Sequence, residues 1–229
     1  IKVSKIAALS AGELAERAAS VTLENKSPDD LMARMLMAMN RLDENGINEI
    51  INKSVLEKGL EMTFTGLVFP FLHKVGVMWH TGSIDPGTEH FITTIFRNRL
   101  IAAVSGISKK PVPGSKRVMF FLPEGEWHEL GLLFFAWIVR IKGHEVLYLG
   151  QSTPLESVIS AAGSWEPDAV ITGALTKLPF DEPASYLRKL KSELGKTEIY
   201  AAGALAAEAG KLKLPGLKAL HSPEDLRLG

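Results

Sequence analysis

The chain has 229 residues, 46% hydrophobic and 23% charged, and its 26 basic and 26 acidic side chains cancel to a formal net charge of zero. That balance suits a globular protein with room for two cores; it excludes a disordered chain and a global field that would draw the molecule to nucleic acid or an anionic membrane. With no cysteine, disulfides, thiolate metal sites and cysteine nucleophiles are excluded as well. The longest apolar run, Leu130 to Val139, falls short of the roughly 18 residues of a membrane span. A bacterial-type cytoplasmic protein is the simplest expectation from the lack of cysteine, and no signal-peptide pattern is visible.

The first half reads as helices. Ser27-Pro28-Asp29-Asp30 is a helix start, with Ser27 as N-cap, proline at the first position and acids in the first turn. Leu31, Met35, Leu36 and Met39 then share a face. Gly46 is expected to break the chain. A helix over 47–58 follows, with Ile50, Ile51, Val55 and Leu56 inward, and then one over 65–78 with a kink at Pro70. Asp85-Pro86 opens a fourth helix that runs to about Ser105. Four helices on short connections predict an antiparallel bundle.

Lys109-Lys110-Pro111-Val112-Pro113-Gly114 has the composition of a linker. Beyond it apolar strands over 117–122, 144–149, 168–172, 198–201 and 218–220 alternate with helices over 130–142, 154–162 and 181–194 and a short Ala-rich one, before a final turn at Pro223. This pattern predicts a five-stranded parallel sheet covered on both faces, a Rossmann-type α/β domain. Ligands of such sheets bind outside the carboxyl ends of the strands, which directs attention to the loops at 123–130, 150–154, 173–179 and 202–204.

The first of these loops reads Glu126-Trp127-His128-Glu129-Leu130-Gly131. An acid two residues before a histidine can accept a hydrogen bond from one ring nitrogen, which sets the tautomer and raises the ligand strength of the other. Gly131 admits a bulky ligand close to the backbone. The run resembles the Asp-x-His-x-x-Gly signature of the flavodoxin-like B12-binding domain of methionine synthase and cobalamin-dependent mutases. In that family 41 residues separate the signature from Ser-x-Leu, and 26 more separate Ser-x-Leu from Gly-Gly; here the same counts reach Gly173-Ala174-Leu175 and Ala202-Gly203. The resemblance implies that His128 is the lower axial ligand to cobalt and that Gly173, Leu175, Ala202 and Gly203 line the groove for the nucleotide tail. Trp127 is expected either against the corrin ring or against protein. Three departures stand out. Glu126 replaces Asp and lengthens the arm. Gly173 replaces Ser and removes a hydroxyl, for which Thr172 or Thr176 could substitute. Ala202 replaces Gly and adds a methyl.

In the helical half, Trp79-His80 is followed eight residues later by Glu89-His90. This pattern resembles that of light-sensing, B12-dependent MerR-type transcription regulators, the CarH and LitR group. The resemblance implies a helical bundle over 25–110 that caps the upper face of adenosylcobalamin, with methylcobalamin as the alternative form, and an α/β domain over 111–229 that holds the lower face. Trp79 would cover the adenosyl group, Glu89 and His90 would line its pocket, and His80 would take the upper cobalt position after light breaks the cobalt–carbon bond. His73, His144 and His221 are expected to serve structure or surface, and Trp137 and Trp165 core or rim.

Ile1 to Ser10 resembles the segment that follows the winged helix-turn-helix of MerR-type proteins, so 1–24 is expected to be a linker after a DNA-binding domain outside this sequence. The implied function is a photoreceptor region rather than an enzyme. It would self-associate to a dimer or tetramer, bind DNA only through that other domain, and use no membrane. Two alternatives stay open: a corrinoid methyl carrier of a methyltransferase system, and a B12-independent regulator that retains the fold.

Overall fold

A computed structural model describes residues 28–108, 111–175 and 182–228. The expected linker 1–24, the cap Ser27, Lys109, Lys110, Thr176 and Asp181 lie outside them. Helix α1 spans Pro28–Asn40 and buries Met35 and Met39, four residues apart on one face. Helix α2 spans Glu44–Thr63. Gly46 does not break the chain: it lies in the first turn of α2, and its N–H donates to the carboxylate of the N-cap Asp43 at 2.9 Å. A Cβ there would stand 2.5 Å from the same carboxylate, so the glycine makes room for the cap. The buried face of α2 is Ile47, Ile50, Ile51 and Ser54. Leu56, expected inward, is 87% exposed, because five residues past Ile51 it has rotated about 140° away from that face.

Gly59 leaves helical geometry (φ 81°, ψ 166°) and divides α2 into two rods. The hydroxyls of Ser54 and Thr63 meet across the break at 3.0 Å, and Thr63 also donates to the Gly59 carbonyl. One π-helical turn, Phe64–Val68, then leads into α3, Phe69–His80. The wide turn stands just ahead of Pro70, which has no N–H to give to the preceding turn. Helix α4, Pro86–Ser105, starts from Asp85, whose carboxylate accepts the N–H and the hydroxyl of Thr88 at 3.1 and 2.6 Å.

Contacts divide the chain at Ile95/Phe96 into two compact units. The end of α4 belongs with the sheet: Val104 is buried in the sheet's core and its carbonyl accepts from Arg140 at 2.9 Å. The second unit holds strands β1 (Arg117–Pro123), β2 (Glu145–Thr153), β3 (Ala169–Ala174), β4 (Glu198–Gly203) and β5 (Leu217–Leu220). All pairs are parallel, in the order β2-β1-β3-β4-β5, the flavodoxin-like arrangement. Side chains alternate across the sheet. Val118, Phe120, Leu122 and Ile171 pack with Leu132, Ala136 and Val139 of α5 (Leu130–Ile141). Met119, Phe121 and Val170 pack on the other face with α6 (Leu155–Trp165), α7 (Pro183–Leu194) and α8 (Ala204–Leu212). Trp137 and Trp165 are partly buried against these two layers.

Three strands run further than their apolar cores suggest: β2 to Thr153, β3 to Ala174 and β4 to Gly203. Residues expected on loops are therefore the last rungs of the sheet. Gly173 pairs with Ala202 and Ala174 with Gly203. The strand order reverses at β1 and β3, so the crevice for a ligand lies outside the carboxyl ends of those two strands.

Candidate functional site

Residues 124–129 connect β1 to α5 at that crevice. The Glu126 side chain is fully buried, and all the donors named here reach it from the site itself. Its Oε1 accepts the backbone N–H of His128 at 2.9 Å and His128 Nδ1 at 2.6 Å. Its Oε2 accepts the N–H of Leu175, just past β3, at 2.8 Å. A buried carboxylate is costly unless its lone pairs are taken up, and here they tie the loop after β1 to the loop after β3. His128 itself is half exposed, at 49% of its side chain.

The loop is held from a second side by the end of β2. Gly150 and Ser152 take positive φ values of 91° and 43°, and the β1–β2 register slips there. Such bulges re-aim side chains beside functional sites. The Ser152 hydroxyl accepts the N–H of Gly125 at 3.0 Å, and its own N–H donates to the Glu126 carbonyl at 3.0 Å. Gln151 donates to the Trp127 carbonyl at 3.2 Å and to Glu129 Oε1 at 2.8 Å. Glu129, only 4% exposed, also accepts Arg97 Nε at 2.5 Å and the Tyr148 hydroxyl at 2.7 Å. Burial raises the Tyr148 hydroxyl well above its ordinary pKa, and the carboxylate it donates to raises it further.

The remaining residues of this edge fall into two kinds. Leu175 and Trp127 are 71% and 62% exposed, so Trp127 packs on no core. Gly173, Ala202 and Gly203 form the adjacent rungs. Gly203 has φ 60°, and a Cβ there would stand 2.1 Å from the Ala174 carbonyl oxygen, so only glycine fits. At Gly173 a Cβ would meet the Ala202 methyl at 3.1 Å. It would also stand 3.2 Å from the Ala202 carbonyl oxygen, so the rung beside Gly173 crowds it with backbone as well as with the methyl. The Thr172 hydroxyl, fully buried, has no hydrogen-bond partner among the described residues. Gly131 is different again: beyond its own helix backbone and chain neighbours, no atom of the described residues lies within 4 Å of where its Cβ would be.

The helical residues stand in the first unit. Trp79 and His80 end α3 with their rings 4.9 Å apart, and Trp79 is 47% exposed, not core. In the first turns of α4 Glu89 accepts His90 Nδ1 at 2.8 Å and the Thr93 hydroxyl at 2.6 Å. Of the other histidines, His144 Nδ1 accepts the N–H of Lys116 at 3.1 Å, a structural use, while His73 and His221 are surface residues.

Sequence reading passed over Glu129, Arg97, Tyr148, Gln151 and Ser152. The one signal for Glu129 was its position immediately before an apolar helix, where a shorter capping side chain is usual. Glu129 caps nothing with its side chain.

Residues 31–103 match the B12 binding domain family. The chain is related in sequence to two Myxococcus xanthus proteins. It is 26% identical to the HTH-type transcriptional repressor CarA over 72% of this chain and 54% of that protein. It is 27% identical to the HTH-type transcriptional repressor CarH over 75% of this chain and 57% of that protein. The chain thus spans a little over half the length of these relatives. Among solved structures, the monomethylamine corrinoid protein of Methanosarcina barkeri has the same fold, with a TM-score of 0.69 at 14% identity, over 87% of this chain and 96% of that one.

Proposed function

We propose that this chain is the cobalamin-binding, light-sensing region of a MerR-type transcription regulator, and that it takes adenosylcobalamin base-off with His128 as the lower axial ligand to cobalt. The observation that carries this reading is the buried Glu126 carboxylate on His128 Nδ1 at 2.6 Å. With Nδ1 engaged, Nε2 is the nitrogen that takes the metal, and the anionic partner strengthens it as a donor. Gly131 supports the reading from another side. A glycine in a helix costs about 1 kcal/mol relative to alanine, and no side chain of the described residues crowds this one; close approach of a ligand accounts for it.

When bound, adenosylcobalamin supplies a cobalt–carbon bond that visible light cleaves. The residues of this chain bind and report. Gly173, Leu175, Ala202 and Gly203 line the groove for the nucleotide tail, whose corner is more apolar here for want of a hydroxyl at 173. Trp127 contacts the corrin, Trp79 covers the adenosyl group, and Glu89 and His90 line its pocket. His80 would be the residue to hold the cobalt once the adenosyl group has left. Contacts that exist only while the adenosyl group is present bias a two-state element; here that element is the self-association of the chain, to a dimer or tetramer, in a cytoplasmic regulator that reaches DNA through a further domain.

The test is the absorption spectrum of the purified chain with adenosylcobalamin before and after green light, beside size-exclusion chromatography. A dark complex whose spectrum and apparent mass both change on illumination supports the photoreceptor. Stable binding without any change of assembly moves the reading to a corrinoid carrier, and no binding leaves a regulator that keeps only the fold.

A further inference from the structure

Glu129 occupies the N-cap of α5 without capping it, and its side chain turns instead into the protein, where it is 4% exposed. Giving up a cap forgoes about 1 kcal/mol, and burying a carboxylate requires compensation by donors and a counter-charge. Both are present. Arg97 and Gln151 donate to one carboxylate oxygen and Tyr148 to the other.

The geometry of these bonds centres on the residue between Trp127 and Glu129. The Gln151 amide reaches the Trp127 carbonyl and the Glu129 carboxylate, straddling His128 in the chain. The Glu129 N–H closes the same turn by donating to the Trp127 carbonyl at 3.0 Å. His128 is therefore held on both sides: its ring and N–H by Glu126, and its backbone by the cluster around Glu129. Arg97 lies on the part of α4 that belongs to the same unit as the sheet, so the end of that helix grips the loop through Glu129.

We propose that Glu129 is a positioning residue for His128, with Arg97, Tyr148 and Gln151 as the donors that fix it, and that loss of this cluster lets the imidazole leave the cobalt while cobalamin stays bound. The proposal rests on His128 being the axial ligand. It makes Glu126 the residue that orients the ring and Glu129 the residue that sets where the ring stands.

The test uses the whole chain, its histidines carrying the heavy isotope of nitrogen, saturated with cobalt(II) cobalamin; in electron paramagnetic resonance a ligating histidine then splits each cobalt line into a doublet, the splitting read here, whereas the base of cobalamin itself gives a triplet. Glu129→Gln keeps the shape and removes the charge; Tyr148→Phe removes one donor and leaves the fold's apolar contacts in place. His128→Ala is the reference for complete loss of the splitting. The expected result is that both variants bind cobalamin while the ratio of histidine-ligated cobalt to all other cobalt drops, by roughly three- to ten-fold for the loss of one such hydrogen bond, with Glu129→Gln affected more. Wild-type splitting in both variants, with the splitting absent in His128→Ala, overturns the proposal. Absence of nitrogen splitting from the wild-type chain itself overturns the assignment of His128, and the positioning role with it. If Glu129→Gln does not fold, Tyr148→Phe alone decides.

Discussion

Among the described residues a histidine rests on a carboxylate at Glu89–His90 and at Glu126–His128, and the two pairs are built differently. Glu89–His90 is local: both residues sit in the first turns of α4, the further partner Thr93 is one turn on, and the His90 side chain is 76% exposed. Glu126–His128 is tertiary: the carboxylate is fully buried and its donors come from the loops after two different strands. An exposed pair of the first kind contributes about 0–1 kcal/mol and yields easily to another partner. A buried carboxylate of the second kind cannot lose a donor without leaving charge uncompensated. The first arrangement suits contacts made in one state and released in another. The second suits a bond that must point in one direction, as an axial ligand must.

The comparison breaks most visibly at His128. His128→Ala is expected to weaken cobalamin binding by about 100-fold or more, beyond the 10–100-fold typical of an outer partner, as read by equilibrium titration; unchanged affinity and spectrum would remove His128 from the site. Glu126→Gln comes next, with about 10–100-fold weaker binding and about 1–3 kcal/mol lower unfolding stability, measured by titration and chemical denaturation. Gly173→Ser is expected to cost about 1–3 kcal/mol through overpacking against Ala202. Ala202→Gly should recover part of it, so the pair is non-additive in a double-mutant cycle; additive costs would show that the two departures are independent. Glu89→Gln is the smallest: stability within about 0.5 kcal/mol of wild type, with weaker binding of adenosylcobalamin but not of aquocobalamin, which lacks the adenosyl group.

A pH series sharpens the comparison only once His144 is accounted for. Burial, and then the charges of Lys142 and Lys116, hold the His144 pKa below its ordinary value. The unfolded chain therefore takes up this proton first. The contribution of His144 to stability is complete above the ordinary histidine pKa and is lost as pH falls from there through the lowered folded value. His144→Gln should flatten the unfolding free energy over that range; an unchanged slope assigns it to another group.

The parallel sheet was legible because its strands are apolar on both faces, so Arg117 to Leu122 or Asp168 to Thr172 could be read without structure. The strand ends were not, since Gly173, Ala174, Ala202 and Gly203 carry no bulk for a pattern to register, although they form paired rungs. Helix starts at proline and acid were legible; the π turn before Pro70 and the role of Gly46 in a cap depend on tertiary space. In the site, the motif pointed to His128 and Glu126 because their spacing is local. Arg97 and Tyr148 lie 32 and 19 residues from Glu129, and only the fold brings them together.

The most direct measurement is the equilibrium binding of adenosylcobalamin in the dark to the wild-type chain and to His128→Ala, with the histidines carrying the heavy isotope of nitrogen so that axial ligation is read from the cobalt(II) form of the same complex. The expected result is saturable binding with a nitrogen pattern that follows the isotope in the wild type and is absent from the variant. Binding without any isotope-dependent splitting, or none at all, would contradict the account.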